Sequence, residues 1–136
     1  MVLIFVVVLI GCNNSRSGKT TEKETGEERG DTSAKISFEQ VFYDFGNIKQ
    51  GEKVTYSFQF RNTGESPLVI EDAFASCGCT VPEFDKEPIA PGKEGYIEVI
   101  FDSSGRRGSQ YKTVMIKTNS PDSKHRLTIK ANVLMN

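Results

Sequence analysis

From Lys35 onward, apolar side chains recur at every second position. The clearest run is Lys53 to Arg61, where Val54, Tyr56, Phe58 and Phe60 alternate with Lys53, Thr55, Ser57, Gln59 and Arg61. A period of two places the first set on one face of a strand and the second set on the other. One face therefore meets a core and the other meets water. A slip of one residue would expose all four large side chains, so the register is tightly specified. Full burial of each is worth roughly 1.5–3 kcal/mol.

The same alternation recurs along the chain. It pairs Ile36 with Phe38, Ile97 with Val99 and Phe101, Val114 with Ile116, and Leu127 with Ile129, Ala131 and Val133. Leu68 and Ile70 mark a further core strand, and Tyr43, Phe45 and Ile48 a short irregular one broken at Gly46. Turn residues separate these runs. Asn62-Thr63-Gly64-Glu65-Ser66-Pro67 links two strands, with Gly64 free to take positive φ. Pro67 fits only the start of the strand it precedes. Pro91-Gly92 suits the central pair of a type II turn. Gly105-Arg106-Arg107-Gly108 and Asn119-Ser120-Pro121-Asp122 bracket another strand. Seven to eight short antiparallel strands and no amphipathic helix predict an all-β, immunoglobulin-like β-sandwich over residues 35–136.

The N-terminal part is different material. Val2 to Ile10 is an unbroken apolar run of nine residues. That is too short to span about 30 Å of hydrocarbon, which takes about 20 helical residues. It has the length of the apolar region of a secretion signal. Leu9-Ile10-Gly11-Cys12 resembles the lipobox of bacterial lipoproteins, which implies cleavage before Cys12 and lipidation of its sulfur. The basic residue that usually precedes such a run is missing, and a start upstream of Met1 would supply it. Residues 1–11 are thus expected to be a signal peptide, and residues 12–34 a lipidated cysteine followed by a linker. Between Asn13 and Ala34 only Ala34 is apolar, while four residues are basic and five acidic. Such a tract buries too little surface to offset the entropy of ordering. As a coil it would separate its ends by about 25 Å.

Charge excludes some partners. Seventeen basic and eighteen acidic residues give a net charge of −1 with the signs interspersed, so nothing marks a nucleic-acid surface. The lone histidine, His125, sits between Lys124 and Arg126, as expected of a solvated strand entrance rather than a general base. The aspartates Asp44, Asp72, Asp85 and Asp102 are scattered, without the spacing of a carboxylate pair or a calcium loop. No enzymatic constellation emerges, and no resident cofactor is expected.

One motif carries possible chemistry. Ser76-Cys77-Gly78-Cys79-Thr80 places two thiols one glycine apart, and Gly78 permits the tight bend a bridge would need. In the chain-entropy picture a three-residue loop gains roughly 1.6 kcal/mol from closure, against about 3 for fifteen residues. Three readings stay open. The pair is a local disulfide or dithiol that shapes its loop. It is a Cu(I) site, with a methionine such as Met115 as a further ligand. Or it exchanges with other thiols, although no basic residue lies within six positions of either cysteine to favour a thiolate.

Several of these segments together resemble a large bacterial family of Ig-like domains of unknown function. They are Asp44-Phe45-Gly46-Asn47-Ile48, Gly51, Phe58 to Gly64, Pro67-Leu68-Val69-Ile70, Ser76 to Pro82, and Pro91-Gly92. The pattern covers residues 35–134 and is similar in turn to the abnormal-spindle/hydin-type and major-sperm-protein-type sandwiches. The resemblance implies an exported or lipid-anchored module and brings no established activity. The expectation is a lipid-anchored, non-enzymatic module of the bacterial cell envelope, facing the periplasm or the cell surface. It would hold the membrane through Cys12 and a protein partner through loops or an edge strand. The alternative is a copper-binding or disulfide-exchange module built on Cys77 and Cys79.

Overall fold

A computed structural model describes residues 32–135. The expected signal peptide, Cys12 and nearly all of the linker lie outside the described residues. Eight strands follow in order: β1 Ile36–Phe38, β2 Phe42–Lys49, β3 Lys53–Asn62, β4 Ile70–Ala75, β5 Thr80–Phe84, β6 Glu94–Asp102, β7 Gly108–Thr118 and β8 Lys124–Leu134. They form two four-stranded sheets, ordered β1-β3-β6-β5 and β2-β8-β7-β4. The all-β sandwich read from the alternation is the observed fold.

The inward faces are those the period of two predicts. Phe58, Phe60, Ile97, Val99 and Phe101 from one sheet meet Val114, Ile116, Leu127, Ile129, Ala131 and Val133 from the other, all essentially excluded from water. Val54 and Tyr56 also face inward but are half-buried, so the sandwich opens toward that end. Aromatic stacking fills the gap there. Tyr43 stacks on Tyr56 with ring centroids 3.7 Å apart, and both rings meet phenylalanines edge-on.

Local departures have identifiable causes. β2 runs parallel to β8, and the register shifts between Asp44 and Asn47, so Gly46 marks a bulge rather than a break. Asp44 accepts from the Gly46 backbone N–H at 2.8 Å within that bulge. Leu68 is fully buried but lies outside β4, joined to Ile89 by an isolated bridge after the constraint of Pro67. The strand β5, not anticipated by the alternation, begins inside the cysteine motif at Thr80. It carries Pro82, which suits its place at a sheet edge. The Pro91-Gly92 turn is as expected: Lys93 N–H donates to Ala90 C=O at 3.0 Å and Gly92 has φ 77°.

Gly64 overturns its expectation. Its φ lies outside the left-handed range; what it needs is space. A Cβ there would stand 2.2 Å from the Ser33 carbonyl oxygen and 2.5 Å from the Lys35 nitrogen. The segment before β1 is packed onto this turn. Thr63 N–H donates to Lys35 C=O at 2.8 Å, Glu65 N–H to Ser33 C=O at 3.1 Å, and Ala34 is buried. Contacts with the sandwich thus begin ahead of Lys35. At the centre stands Asn62, completely buried. Its Nδ2 donates to Ser66 C=O at 2.8 Å and Ile89 C=O at 2.9 Å, while Oδ1 accepts from Gly64 N–H at 3.0 Å and Lys35 N–H at 3.4 Å. One side chain ties three loops together with its full hydrogen-bonding capacity.

Candidate functional site

The chain changes sheets between β4 and β5, and the cysteine motif makes that crossing. β4 and β5 are each the edge of their sheet. Leaving β4, Ser76 N–H donates to Thr113 C=O at 2.9 Å and Ser76 Oγ accepts from Thr113 N–H at 3.3 Å. Entering β5, Asp102 N–H donates to Cys79 C=O at 2.9 Å. Both ends of the crossover are therefore clamped by ladder bonds to central strands. Between them Cys77 and Cys79 form a disulfide, with their α-carbons 5.4 Å apart. The bridge leaves both sulfurs oxidised, a state that the loop-shaping and the exchange readings share. Thr80 is buried, with Oγ1 3.8 Å from Cys77 Sγ and 3.9 Å from Cys79 Sγ.

Gly78, at the tip of the bridge, is not forced. Its φ is outside the left-handed range and a Cβ there would meet open space. The tip is therefore accessible from outside. Apolar side chains flank it on both outer faces. Phe74 is 54% exposed on β4, and Val81 is 49% exposed on β5. Phe74 lies opposite Met115 and Val81 opposite Ile100, which extends each patch by one strand.

Met115 does not join the sulfurs. It sits between the buried Val114 and Ile116 and so faces away from the core, whereas Cys79 packs against the core. Among the described residues, no three His, Cys, Asp or Glu side chains are grouped so as to hold a metal.

A cation absent from the local sequence stands nearby. Lys112 directly precedes Thr113, the β7 residue that holds Ser76 at the start of the corner. Lys112 shares the inward parity of Val114 and Ile116, and its ammonium lies 6.0 Å from the centroid of Phe101, the residue opposite Thr80. Partial burial, and secondarily Arg106, push its pKa below the ordinary lysine value. Sequence distance hid this neighbour: Lys112 is remote in the chain from either cysteine, and strand pairing brings it close.

His125 is not the solvated residue its flanks imply. It is half-buried, with its ring centroid 6.0 Å from that of Phe38. Its Nε2 is 3.4 Å from both Thr118 Oγ1 and Ser120 Oγ. It helps line an open cleft of 430 Å³ with Lys35, Ser37, Thr63, Ser120 and Asp122. Ser120 is buried and lies 2.8 Å from Asp122 C=O, to which its hydroxyl donates. With its proton so placed, Ser120 serves as an internal brace for the β7–β8 turn, at a distance from His125 longer than a working nucleophile–base bond of about 2.6–3.2 Å.

Solved structures share this architecture. A protein of unknown function from Porphyromonas gingivalis W83 aligns with TM-score 0.66 and 19% identity, over 80% of this chain and 51% of that one. The present chain thus spans about half the length of that protein. A PapD-like domain of human CEP192 aligns with TM-score 0.59 and 12% identity, over 93% of this chain and 99% of that one. The VesB protease of Vibrio cholerae aligns with TM-score 0.56 and 18% identity, over 72% of this chain and 31% of that one. At these identities the likeness is one of fold. No curated protein matches the chain. A family model does match residues 36–133, from the start of β1 to the penultimate residue of β8, and the chain belongs to that family, DUF1573, whose members are proteins of unknown function.

Proposed function

We propose that the protein is a non-enzymatic Ig-like module of the bacterial cell envelope, tethered by lipid on Cys12 and binding a protein partner at the β4–β5 corner. The observation that carries the reading is the pair of exposed apolar side chains, Phe74 and Val81, on either side of a rigidly clamped edge. Isolated exposed apolar residues need no explanation; these two lie on opposite outer faces of the sandwich beside one crossover, so a partner that takes both would wrap the edge between them. The β4 edge has an open side where an extended segment can add a strand. On β5, Pro82 has no N–H to offer such a partner. The linker ahead of the docked Ser33 and Ala34 would let the sandwich reach roughly 25 Å from its anchor.

Two measurements test this. Intact mass of the membrane-extracted protein should show cleavage before Cys12 and added acyl mass, and Cys12→Ala should release the protein from membranes. A photo-crosslinking residue at position 74 should give a discrete adduct in cells, lost when Val81→Ser is added. The same crosslinker at Ser57, on the outer face of β3, should not. Protein retained on membranes after Cys12→Ala ends the anchoring reading; equal adducts from positions 57 and 74 end the corner reading.

A further inference from the structure

We propose that the Cys77–Cys79 bridge is a thiol-exchanging disulfide, oxidising thiols of a protein or a small molecule, with Lys112 as the cation that stabilises the departing Cys77 thiolate. The inference goes beyond partner binding and does not depend on it. Four observations support it.

Stability does not explain the bridge. The segments on either side are already held by ladder bonds to Thr113 and Asp102, and the loop closed is the smallest a cysteine pair with one residue between can make. The bridge is not sealed off: the loop tip at Gly78 faces open space, and both cysteines are half-buried rather than buried. A cation stands near the pair. Lys112 adjoins the Ser76–Thr113 bonds and lies over Phe101, the residue opposite Thr80; Arg106 acts on it, and among the described residues no carboxylate forms an ion pair with it. Asp102, whose backbone N–H holds Cys79 C=O, has its carboxylate engaged elsewhere: it accepts from Ser104 N–H at 2.9 Å and pairs with Lys53 at 3.6 Å. Finally, Thr80 Oγ1 lies near both sulfurs and can donate to a thiolate on either one.

A substrate thiolate attacks Cys79 Sγ; a bond forms between substrate sulfur and Cys79, the Cys77–Cys79 bond breaks, and its electron pair leaves on Cys77 as a thiolate near Lys112. A second substrate thiolate then attacks the substrate sulfur of the mixed disulfide and releases Cys79. The substrate is oxidised to a disulfide by two electrons. The pair is reduced to a dithiol, which takes up the two protons the substrate thiols gave up. A neighbouring cation favours the first step because it stabilises the leaving thiolate, and it favours the reduced state overall. Lys112 is a positioning residue here, acting through the electrostatics of Cys77.

The test equilibrates the full chain in detergent with graded mixtures of reduced and oxidised glutathione. The peptide spanning Cys77 and Cys79 is then alkylated and weighed. The pair should exchange fully within the range a glutathione buffer covers. Lys112→Gln should make the dithiol about tenfold less favoured and should raise the onset of thiolate ultraviolet absorbance, about one pKa unit for each tenfold change. Lys112→Arg should restore most of the shift, and Lys117→Gln, a charge removed on the outer face of the same strand, should change nothing. A pair that stays oxidised throughout the glutathione series overturns the proposal. So does a midpoint that Lys112→Gln leaves where it was.

Discussion

The Asn62 turn and the cysteine corner both join one sheet to the other, and both carry a short motif with a glycine in it. Their environments are opposite. Asn62 is fully buried, with all four of its hydrogen-bonding positions occupied, and Gly64 beside it has backbone where a side chain would go. At the corner the cysteines are half-buried, Gly78 faces open space, and a lysine points inward without a carboxylate partner among the described residues. The first region is complete in itself. The second has capacity left over. A motif whose donors and space are all used internally is there for folding, and one with unused charge and access is where chemistry or binding can be added.

The largest expected effect is at Asn62. Asn62→Ala should destabilise the domain by about 3 kcal/mol, since it leaves buried carbonyls and amides without partners at about 1–3 kcal/mol each. Urea unfolding should show a lower midpoint at unchanged slope. Wild-type stability in that variant would refute the contrast at its strong end. Gly64→Ala should follow at about 1–3 kcal/mol, because the Ser33–Lys35 backbone must shift. Gly78→Ala should stay within about 0.5 kcal/mol. If the two glycine variants matched, space would not be what separates the regions.

Replacing both cysteines by serine should cost no more than roughly 1.6 kcal/mol, the loop-closure gain for three residues. A loss of several kcal/mol would make the corner a structural staple after all. The smallest effect concerns Asp44. Its hydrogen bond from Lys130 at 2.9 Å, then the Gly46 N–H, hold its carboxyl below the ordinary carboxylate range. A depressed folded pKa gives stability present above the unfolded value of 3.8 and lost as pH falls through the folded one. Asp44→Asn should therefore flatten the stability profile only on the acid side of that value. It should leave the neutral pH midpoint almost unchanged, because the group is exposed. Thermal melts from neutral pH down to about pH 2 would show it.

Much of the fold was legible in the order of residues, because burial on one face of a strand imposes a period of two whatever the strand pairs with. Val54 to Phe60, Ile97 to Phe101 and Leu127 to Val133 could be placed on the core face in this way, and the Pro91-Gly92 turn follows from two local φ preferences. The candidate site was legible only in part. The adjacency of Cys77 and Cys79 is local, but their surroundings are not. That Lys112 adjoins the corner through the Ser76–Thr113 bonds, that β2 lies parallel to β8, that Leu68 bridges to Ile89 rather than extending β4, and that Gly64 is needed for room all depend on segments distant in sequence. Alternation states which face of a strand is apolar; it carries no information on which other strand lies beside it. Pairing, and with it every charge and clash that pairing brings near, was decided only when the two sheets closed over their shared core.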